Sequence, residues 1–469
     1  MFNFIMKKYL FLLVVSIIFV QPGYITAAPG DGPPNILLIS IDSLRADHLG
    51  CYGYDKDTSP VMDELAASGA LFENTISTTS WTLPAHMSLL TSMDISVHGV
   101  GRDGVSLHPS VGTVTQRLKK EGYATACFCS SPYMNPAFGF DRGFDLYRNI
   151  DLEDEKIKDT ILPPPEERDA VHEDITSPRI TDLAITWLEN HHSRPFFLFL
   201  HLWDVHYDYI PPAPYDKLFD PDYQGDIDGK DYIHNNEVNP EMDPRDLEHI
   251  VALYDGEIAY VDYHIGLIVK ELKKLGIFDR TLIVVTADHG DEFFEHGGKG
   301  HRNTLYDEVV KIPLIVYLPE KISSAVRIRN QVSIIDIAPT ILDLAGILVP
   351  GRMQGSSLAP LLKEETIPDD RYAMLELGSI LRALRSKSAK LLFNTRALQT
   401  IIFDLKADPG ENDPVGITDF LEWSRINRIF YDRLRNDQNL ARKYRGGETG
   451  MPVKLSPEQE KRLKSLRYI

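Results

Sequence analysis

Three short runs of almost unbroken apolar residues, each leading into an acidic residue, constrain this chain most. Asn35–Ile41 (NILLISI) runs into Asp42, 195–202 (PFFLFLHL) into Trp203-Asp204, and 281–286 (TLIVVT) into Ala287-Asp288. A strand that is apolar on both faces has to be covered on both, which is how parallel sheets are built between helical layers. Helices are expected between these runs. Ser59-Pro60 reads as an N-cap with Pro at the first helical position, and Gly69 as the stop. Further helices are expected from Pro84 to Leu90, over 180–191 and over 247–275. The alternation predicts an α/β doubly wound, mostly parallel sheet. Its carboxyl edge, where Asp42 and Asp288 fall, is where such sheets bind ligands.

Residues 1–28 stand apart from this pattern. Lys7 and Lys8 precede an apolar run over 9–20, and small residues follow at Thr26, Ala27 and Ala28. That is the layout of a secretory signal, and its apolar run is shorter than the roughly 20 residues that span a bilayer. The expectation is an extracytoplasmic protein, secreted or periplasmic, with no membrane span after cleavage. Acidic residues outnumber basic ones, 68 to 49, for a formal charge of −19. Such a field argues against nucleic acid or an anionic membrane as the main partner. Three cysteines make no disulfide framework. Cys127 and Cys129 are expected to be buried thiols on one strand, and Cys51 a packing residue. Two acidic, Pro-containing stretches, 151–177 and 214–246, read as surface insertions near the mouth of a site. Asp220, Asp222 and Gly225 echo a calcium loop, but Gln224 and Asp231 stand where it needs other ligands, so none is expected.

The chemistry-bearing residues cluster at strand ends. Asp42, Asp288 and His289 together make a plausible divalent-metal set, although strand-end aspartates also cap turns. Gly290 permits the tight turn that would aim Asp288 and His289 one way. In Thr82-Leu83-Pro84-Ala85-His86, a hydroxyl precedes a predicted helix start. Taken alone it reads as a helix cap. Beside a metal, the helix N-terminus and the ion would favour its alkoxide as a nucleophile.

At this point the chain resembles the sulfatase family of the alkaline phosphatase superfamily. The segments that carry the resemblance are 35–54 (NILLISIDSLRADHLGCYGY), 80–100, 195–212 and 254–319, the last containing TADHGDE and GHRNTLYDEVVKIPLIVYLP. IIFDLKADPGE at 401–411 is similar to the family's closing segment. The resemblance implies an alkaline-phosphatase-like catalytic domain over 29–355. Short runs at 390–393 and 400–405 suggest a small antiparallel sheet, and the basic tail from about 416 reads as helical, giving a smaller C-terminal subdomain over 356–469. The resemblance also implies Asp42, Asp288 and His289 as metal ligands, Thr82 as the nucleophile, and His206 as a residue contacting the bound oxyanion. His301 or Arg302 would face that anion, with Lys299 a further candidate, and His86 would support the nucleophile loop.

Two departures shape the functional reading. Sulfatases use a Cys or Ser oxidised to formylglycine in a C/S-x-P-x-R context, whereas this chain has Thr82 and His86. Threonine cannot become that aldehyde, and T-x-P-x-H resembles superfamily members that act on phosphate esters through threonine. The paired Asp of calcium sulfatases is Asp42-Ser43 here, which favours manganese or zinc over calcium. The leading expectation is a one-metal phosphate mono- or diesterase, or phosphotransferase, acting on a small-molecule or glycan- or lipid-linked ester. A sulfuric ester hydrolase is the alternative. A catalytically inactive anion- or carbohydrate-binding protein is the third, which intact Asp42, Asp288, His289 and His206 oppose. His98 is expected to be structural, Arg45 and Asp47 to form an ion pair, and His296 either to cap a turn or to act in the site.

Overall fold

The computed structural model describes residues 32–152, 175–323, 325–365, 371–415, 420–448 and 450–453. The expected signal segment and most of the first acidic insertion (153–174) lie outside the described residues. The main sheet is built from nine strands: β1 (Asn35–Ile41), β2 (Ala70–Ile76), β3 (Ala124–Cys129), β4 (Leu146–Asn149), β5 (Phe196–Leu202), β6 (Thr281–Ala287), β7 (Lys311–Ile312), β8 (Leu314–Tyr317) and β9 (Val326–Ser333). Their order is β7-β2-β8-β6-β1-β5-β3-β4, with β9 paired to β2. The run β6-β1-β5-β3-β4 is wholly parallel, and β8 joins β6 and β2 antiparallel. The three apolar runs are the three central neighbours, and each is buried along its whole length. Cys127 and Cys129 are buried within β3.

Register places the site. Ile41 pairs with Leu202 on one side and with Ala287 on the other. Asp42 and Asp288 therefore leave adjacent strands at the same level of the carboxyl edge. Helix α1 (Pro60–Ser68) begins where expected, but Ser59 does not cap it through its side chain. Its hydroxyl donates to Asp63 Oδ1 (3.1 Å), and the Val61 and Met62 amides donate instead to Asp262 on a distant helix. Helix α2 (Thr82–Thr91) starts two residues before Pro84 and is buried throughout. Helix α3 (Ser177–His191) packs against helix α4 (Pro244–Lys274) and covers β3 and β5.

The C-terminal sheet is antiparallel in chain order: β10 (Ala373–Leu377), β11 (Leu381–Arg385), β12 (Ala389–Asn394) and β13 (Gln399–Asp404). Helix α5 (Phe420–Arg445) buries Ile426 and Phe430 against Met374, Leu384 and Leu391. The segment 214–246 is irregular apart from a 3-10 turn at Tyr215–Lys217 and the start of α4 at Pro244, and Asp220 is engaged by Arg245 and His249. Lys299 and Tyr232 tie this segment to the hairpin strands Glu292–Phe293 and Lys299–Gly300.

His98 is structural in a way that makes stability pH-dependent. Its ring is fully buried, Nδ1 accepts from the Val100 amide, and Nε2 lies 3.1 Å from Ser88 Oγ. An accepting Nδ1 cannot carry a proton. Burial, followed by the nearby Arg445 charge, pushes its pKa down to about 3 from the usual 6.5. The unfolded chain binds a proton below about pH 6.5 that the native state refuses. His98 therefore costs about 1.4 kcal/mol per pH unit as pH falls from there toward 3. Denaturant titrations at pH 7 and pH 5 are expected to show a shallower pH slope for His98→Gln than for wild type. Equal slopes would refute this.

Candidate active site

Asp42 and Asp288 face each other across the β1–β6 seam, and both are fully buried. Ser43 turns the chain with a positive φ of 57°. This left-handed turn lets its amide reach Asp288 Oδ1 (3.3 Å) and its hydroxyl reach Asp42 Oδ1 (3.1 Å). The His289 amide donates to the same Asp288 Oδ1 (2.9 Å). Two donors thus fill one oxygen, while Asp288 Oδ2 is buried without a hydrogen-bond partner among the described residues. His289 Nε2 lies 3.4 Å from that orphan oxygen and 3.7 Å from Asp42 Oδ1. Gly290 assists by close approach, since a Cβ there would sit 2.2 Å from the Glu308 carbonyl oxygen.

Thr82 is the first residue of α2, not its cap. The cap position is Trp81, which makes no side-chain cap bond. The Thr82 hydroxyl points into the cluster, with Oγ1 3.4 Å from Asp42 Oδ2 and 3.2 Å from His289 Nε2. The donors of Thr82, Asp42, Asp288 and His289 are therefore spaced as ligands around one small ion. For bonds of about 2.1 Å, neighbouring donors stand about 3.0–3.4 Å apart. Burial, which dominates, pushes Asp42 up to about 6. Burial also raises Asp288, with the Asp42 charge adding to it. Burial opposes protonation of His289, but Asp288 and Asp42 outweigh it and raise its pKa. Among the described residues neither Asp42 nor Asp288 pairs with a Lys or Arg; buried carboxylates of this kind are costly until a cation arrives, and an orphan Oδ2 aimed at His289 fits one.

One turn along α2, His86 places Nδ1 3.0 Å from the Thr82 carbonyl oxygen and Nε2 2.9 Å from Ser40 Oγ. Its Nδ1 is also 3.5 Å from Asp288 Oδ2. Burial pushes its pKa down to about 3. His206 stacks on Trp203, with ring centroids 3.9 Å apart, and its Nδ1 lies 2.5 Å from the Tyr207 carbonyl oxygen. His301 sits 4.3 Å from His289 and 5.0 Å from His206, centroid to centroid. Both are held well below the usual histidine range, by burial first and then by neighbouring imidazoles.

The expected site residues are thus not equally central. Arg302 packs 4.0 Å above the Trp81 ring, beside the Thr82 position, while donating to Asp103 and Tyr133. Lys299 donates its ammonium to the Asn235 and Val238 carbonyls, 3.1 and 2.6 Å away. Arg45 pairs with Asp47 (2.8 Å) and also with Glu295. His296 pairs with Glu308 (2.6 Å), outside the Thr82 cluster.

Two residues at the centre carry no expectation from sequence. Asp291 bonds His301 Nδ1 (2.6 Å) and Tyr209 Oη (2.5 Å). His201 Nε2 lies 3.2 Å from Asp42 Oδ2. Asp291 falls three residues after Asp288, which is a signal of sorts. His201 sits inside an apolar strand, where a lone histidine reads as core.

The sequence model of the Sulfatase family matches residues 34–347, most of the chain and all of these residues. The chain belongs to the sulfatase family of the alkaline phosphatase superfamily. A second model, N-sulphoglucosamine sulphohydrolase C-terminal, matches 295–436 of this sulfatase-family protein. The chain is 25% identical over 461 residues to an N-acetylglucosamine-6-O-sulfatase of Bacteroides thetaiotaomicron, covering 81% of this chain and 82% of that one. Its fold resembles a phosphonate monoester hydrolase of Agrobacterium radiobacter, with a TM-score of 0.73, 21% identity, and 90% and 100% of the two chains covered. It also resembles a protein solved with its substrate D-glucosamine-2-N,6-O-disulfate, at a TM-score of 0.69, 21% identity, and 89% and 99% coverage. This sulfatase-family protein is a hydrolase of a metal-dependent family, with acidic and histidine groups that could bind the metal. No helix among the described residues is long and apolar enough to cross a membrane.

Proposed function

We propose that this sulfatase-family hydrolase cleaves phosphate-type mono- or diesters of a small molecule or glycan, using Thr82 as its nucleophile. One observation carries the reading. The hydroxyl lying against Asp42 and His289 belongs to a threonine, which cannot supply the formylglycine hydrate that releases sulfate from a covalent intermediate.

A divalent ion, manganese or zinc in preference to calcium, supplies Lewis-acid charge neutralisation and a lowered hydroxyl pKa. Asp42, Asp288 and His289 would hold it, with Thr82 Oγ1 as a further donor. The start of α2 fixes Thr82 Oγ1 and places the helix N-terminus beside the developing charge. Thr82 Oγ1 forms its bond to phosphorus as the bond from phosphorus to the leaving oxygen breaks, giving a phosphothreonine. In the neutral site, the Tyr207 carbonyl holds the proton of His206 at Nδ1, and Asp291 holds that of His301 there. Nε2 of each ring is then the proton-exchanging atom. One of these rings takes the Thr82 hydroxyl proton at Nε2 and passes it to the leaving oxygen, and afterwards takes a proton from the water or alcohol that resolves the intermediate and returns it to Thr82 Oγ1. His86 and Ser40 brace the turn that carries Thr82.

The second reading is sulfuric ester hydrolysis, which the names of relatives such as the N-acetylglucosamine-6-O-sulfatase favour. The test compares turnover of aryl phosphate mono- and diesters with an aryl sulfate, after reconstitution with manganese, zinc or calcium. Phosphate esters are expected to win by orders of magnitude. Faster sulfate turnover would overturn the proposal and favour the second reading.

A further inference from the structure

One cavity of this acidic chain is walled by cations. It has a volume of about 580 Å³ and opens between the far end of α2, the short helix Val114–Lys120 and the turn at 350–353. Arg117, Lys120 and Arg352 line it, and among the described residues no Asp or Glu does. The volume is that of a small-molecule site. Thr91 lies in its wall, at the opposite end of α2 from Thr82 and about 13 Å from it along the helix axis. The cavity is therefore separate from the Thr82 cluster.

The state of the three cations points to an anionic occupant. Arg117 pairs with Glu121 through Nη2 at 3.0 Å, but its Nε is buried without a hydrogen-bond partner among the described residues. A buried guanidinium N–H without an acceptor is costly, and an anion in the cavity supplies one. Lys120 and Arg352 have no ion-pair or hydrogen-bond partner among the described residues, whereas the adjacent Lys119 pairs with Asp145 at 2.7 Å. A helix C-terminus attracts cations, which accounts for Arg117 and Lys120 on one helix. It does not account for Arg352, which reaches the cavity from a different element. A glycine admits it: a Cβ at Gly112 would sit 2.5 Å from Arg352 Nη2. The turn that carries Arg352 is anchored in advance, because the Gln354 amide donates to the Ser92 carbonyl (2.8 Å) and the Gly355 amide to Ser92 Oγ (3.1 Å).

We propose that this cavity binds a small organic phosphate dianion, at a site distinct from the reacting centre. Three cations against Glu121 leave two positive charges, which match a phosphate monoester and exceed the single charge of a sulfate ester or a carboxylate. The volume leaves room for an organic body beside the phosphate. The inference does not depend on which ester is cleaved at Thr82.

The test is calorimetric titration of the metal-loaded protein with propylphosphonate and with propanesulfonate, at mildly alkaline pH where the phosphonate is doubly ionised. Neither probe has an ester bond to cleave, and the two differ mainly in charge. The double variant Lys120→Gln/Arg352→Gln is expected to weaken one propylphosphonate binding event by at least about tenfold, the scale of lost charge-assisted hydrogen bonds. It is expected to keep wild-type turnover, since both side chains are exposed and remote from Thr82. Gly112→Ala crowds the Arg352 guanidinium without removing a charge, at a backbone that is not left-handed, and is expected to weaken the same event. In wild type this event is expected to be weaker for propanesulfonate. Titration curves that superimpose for wild type and the double variant overturn the site. Equal affinity of the variant-sensitive event for the two probes overturns the dianion assignment.

Discussion

Thr82→Ala is expected to lower turnover of the best ester substrate by at least about a thousandfold, into the range seen when a covalent nucleophile is removed. The geometry makes the loss specific. Thr82 Oγ1 is the hydroxyl that touches both Asp42 Oδ2 and His289 Nε2, and its removal leaves the carboxylates and the imidazole in place. Because Thr82 is not the side-chain cap of α2, the substitution removes no helix cap and is expected to change stability by less than about 1 kcal/mol. Thr82→Ser separates chemistry from packing. It keeps the oxygen, loses a methyl buried at 1% exposure, and should retain a measurable share of turnover. The two variants are read by steady-state kinetics beside a denaturant curve. Unchanged turnover in Thr82→Ala would remove threonine from the mechanism.

Lys390→Met is expected to cost about 3–5 kcal/mol of stability, the range for breaking a buried ion pair on one side. Lys390 is fully buried on β12 and donates to the Leu305 carbonyl, to Asp307 Oδ1 and to Glu411 Oε2, each at 2.8 Å. Arg385 on β11 also pairs with Asp307, so Asp307 keeps a cation when Lys390 is lost, whereas Glu411 has no other direct ion pair among the described residues. Adding Glu411→Gln removes the stranded charge and should recover part of the loss, giving a non-additive double-mutant cycle. Strict additivity in denaturant titrations would show that the two side chains are not coupled. The cluster also matters for function. It fastens the closing segment at 401–411 and the C-terminal sheet to 305–307, a few residues after His301 and Arg302. The Lys390→Met protein is therefore expected to lose activity at a lower denaturant concentration than wild type.

The C-terminal sheet shows how far a one-dimensional reading reached. Short runs near 390–393 and 400–405 were enough to expect antiparallel pairing, because alternation over a few residues records which face is covered. Nothing in that pattern marks Lys390 as buried. A lysine in a strand reads as solvated, and only the convergence of Asp307 from the main domain and Glu411 from the closing segment makes its burial tolerable. Lys299 and Arg302 illustrate the converse. The resemblance implied both as residues near the anion, and their cations are held by the Asn235 and Val238 carbonyls in one case, and by Asp103, Tyr133 and the Trp81 face in the other.

Local chemistry determined the three central strands, the carboxyl-edge position of Asp42, Asp288 and His289, and the presence of a hydroxyl at a helix start. Each follows from residues close in the chain: apolar runs that need two covered faces, and acidic residues that end them. The tertiary structure decided what those residues do together. It turned Thr82 from an expected cap into a side chain facing two candidate ligands, because α2 begins earlier than Pro84 alone implies. It also brought His201 to Asp42 and Asp291 to His301. Those contacts depend on strand register and on a hairpin's return path, which link residues up to 159 positions apart. Such pairings have no periodicity in the chain, since the energy that selects them arises only when buried charges must find partners.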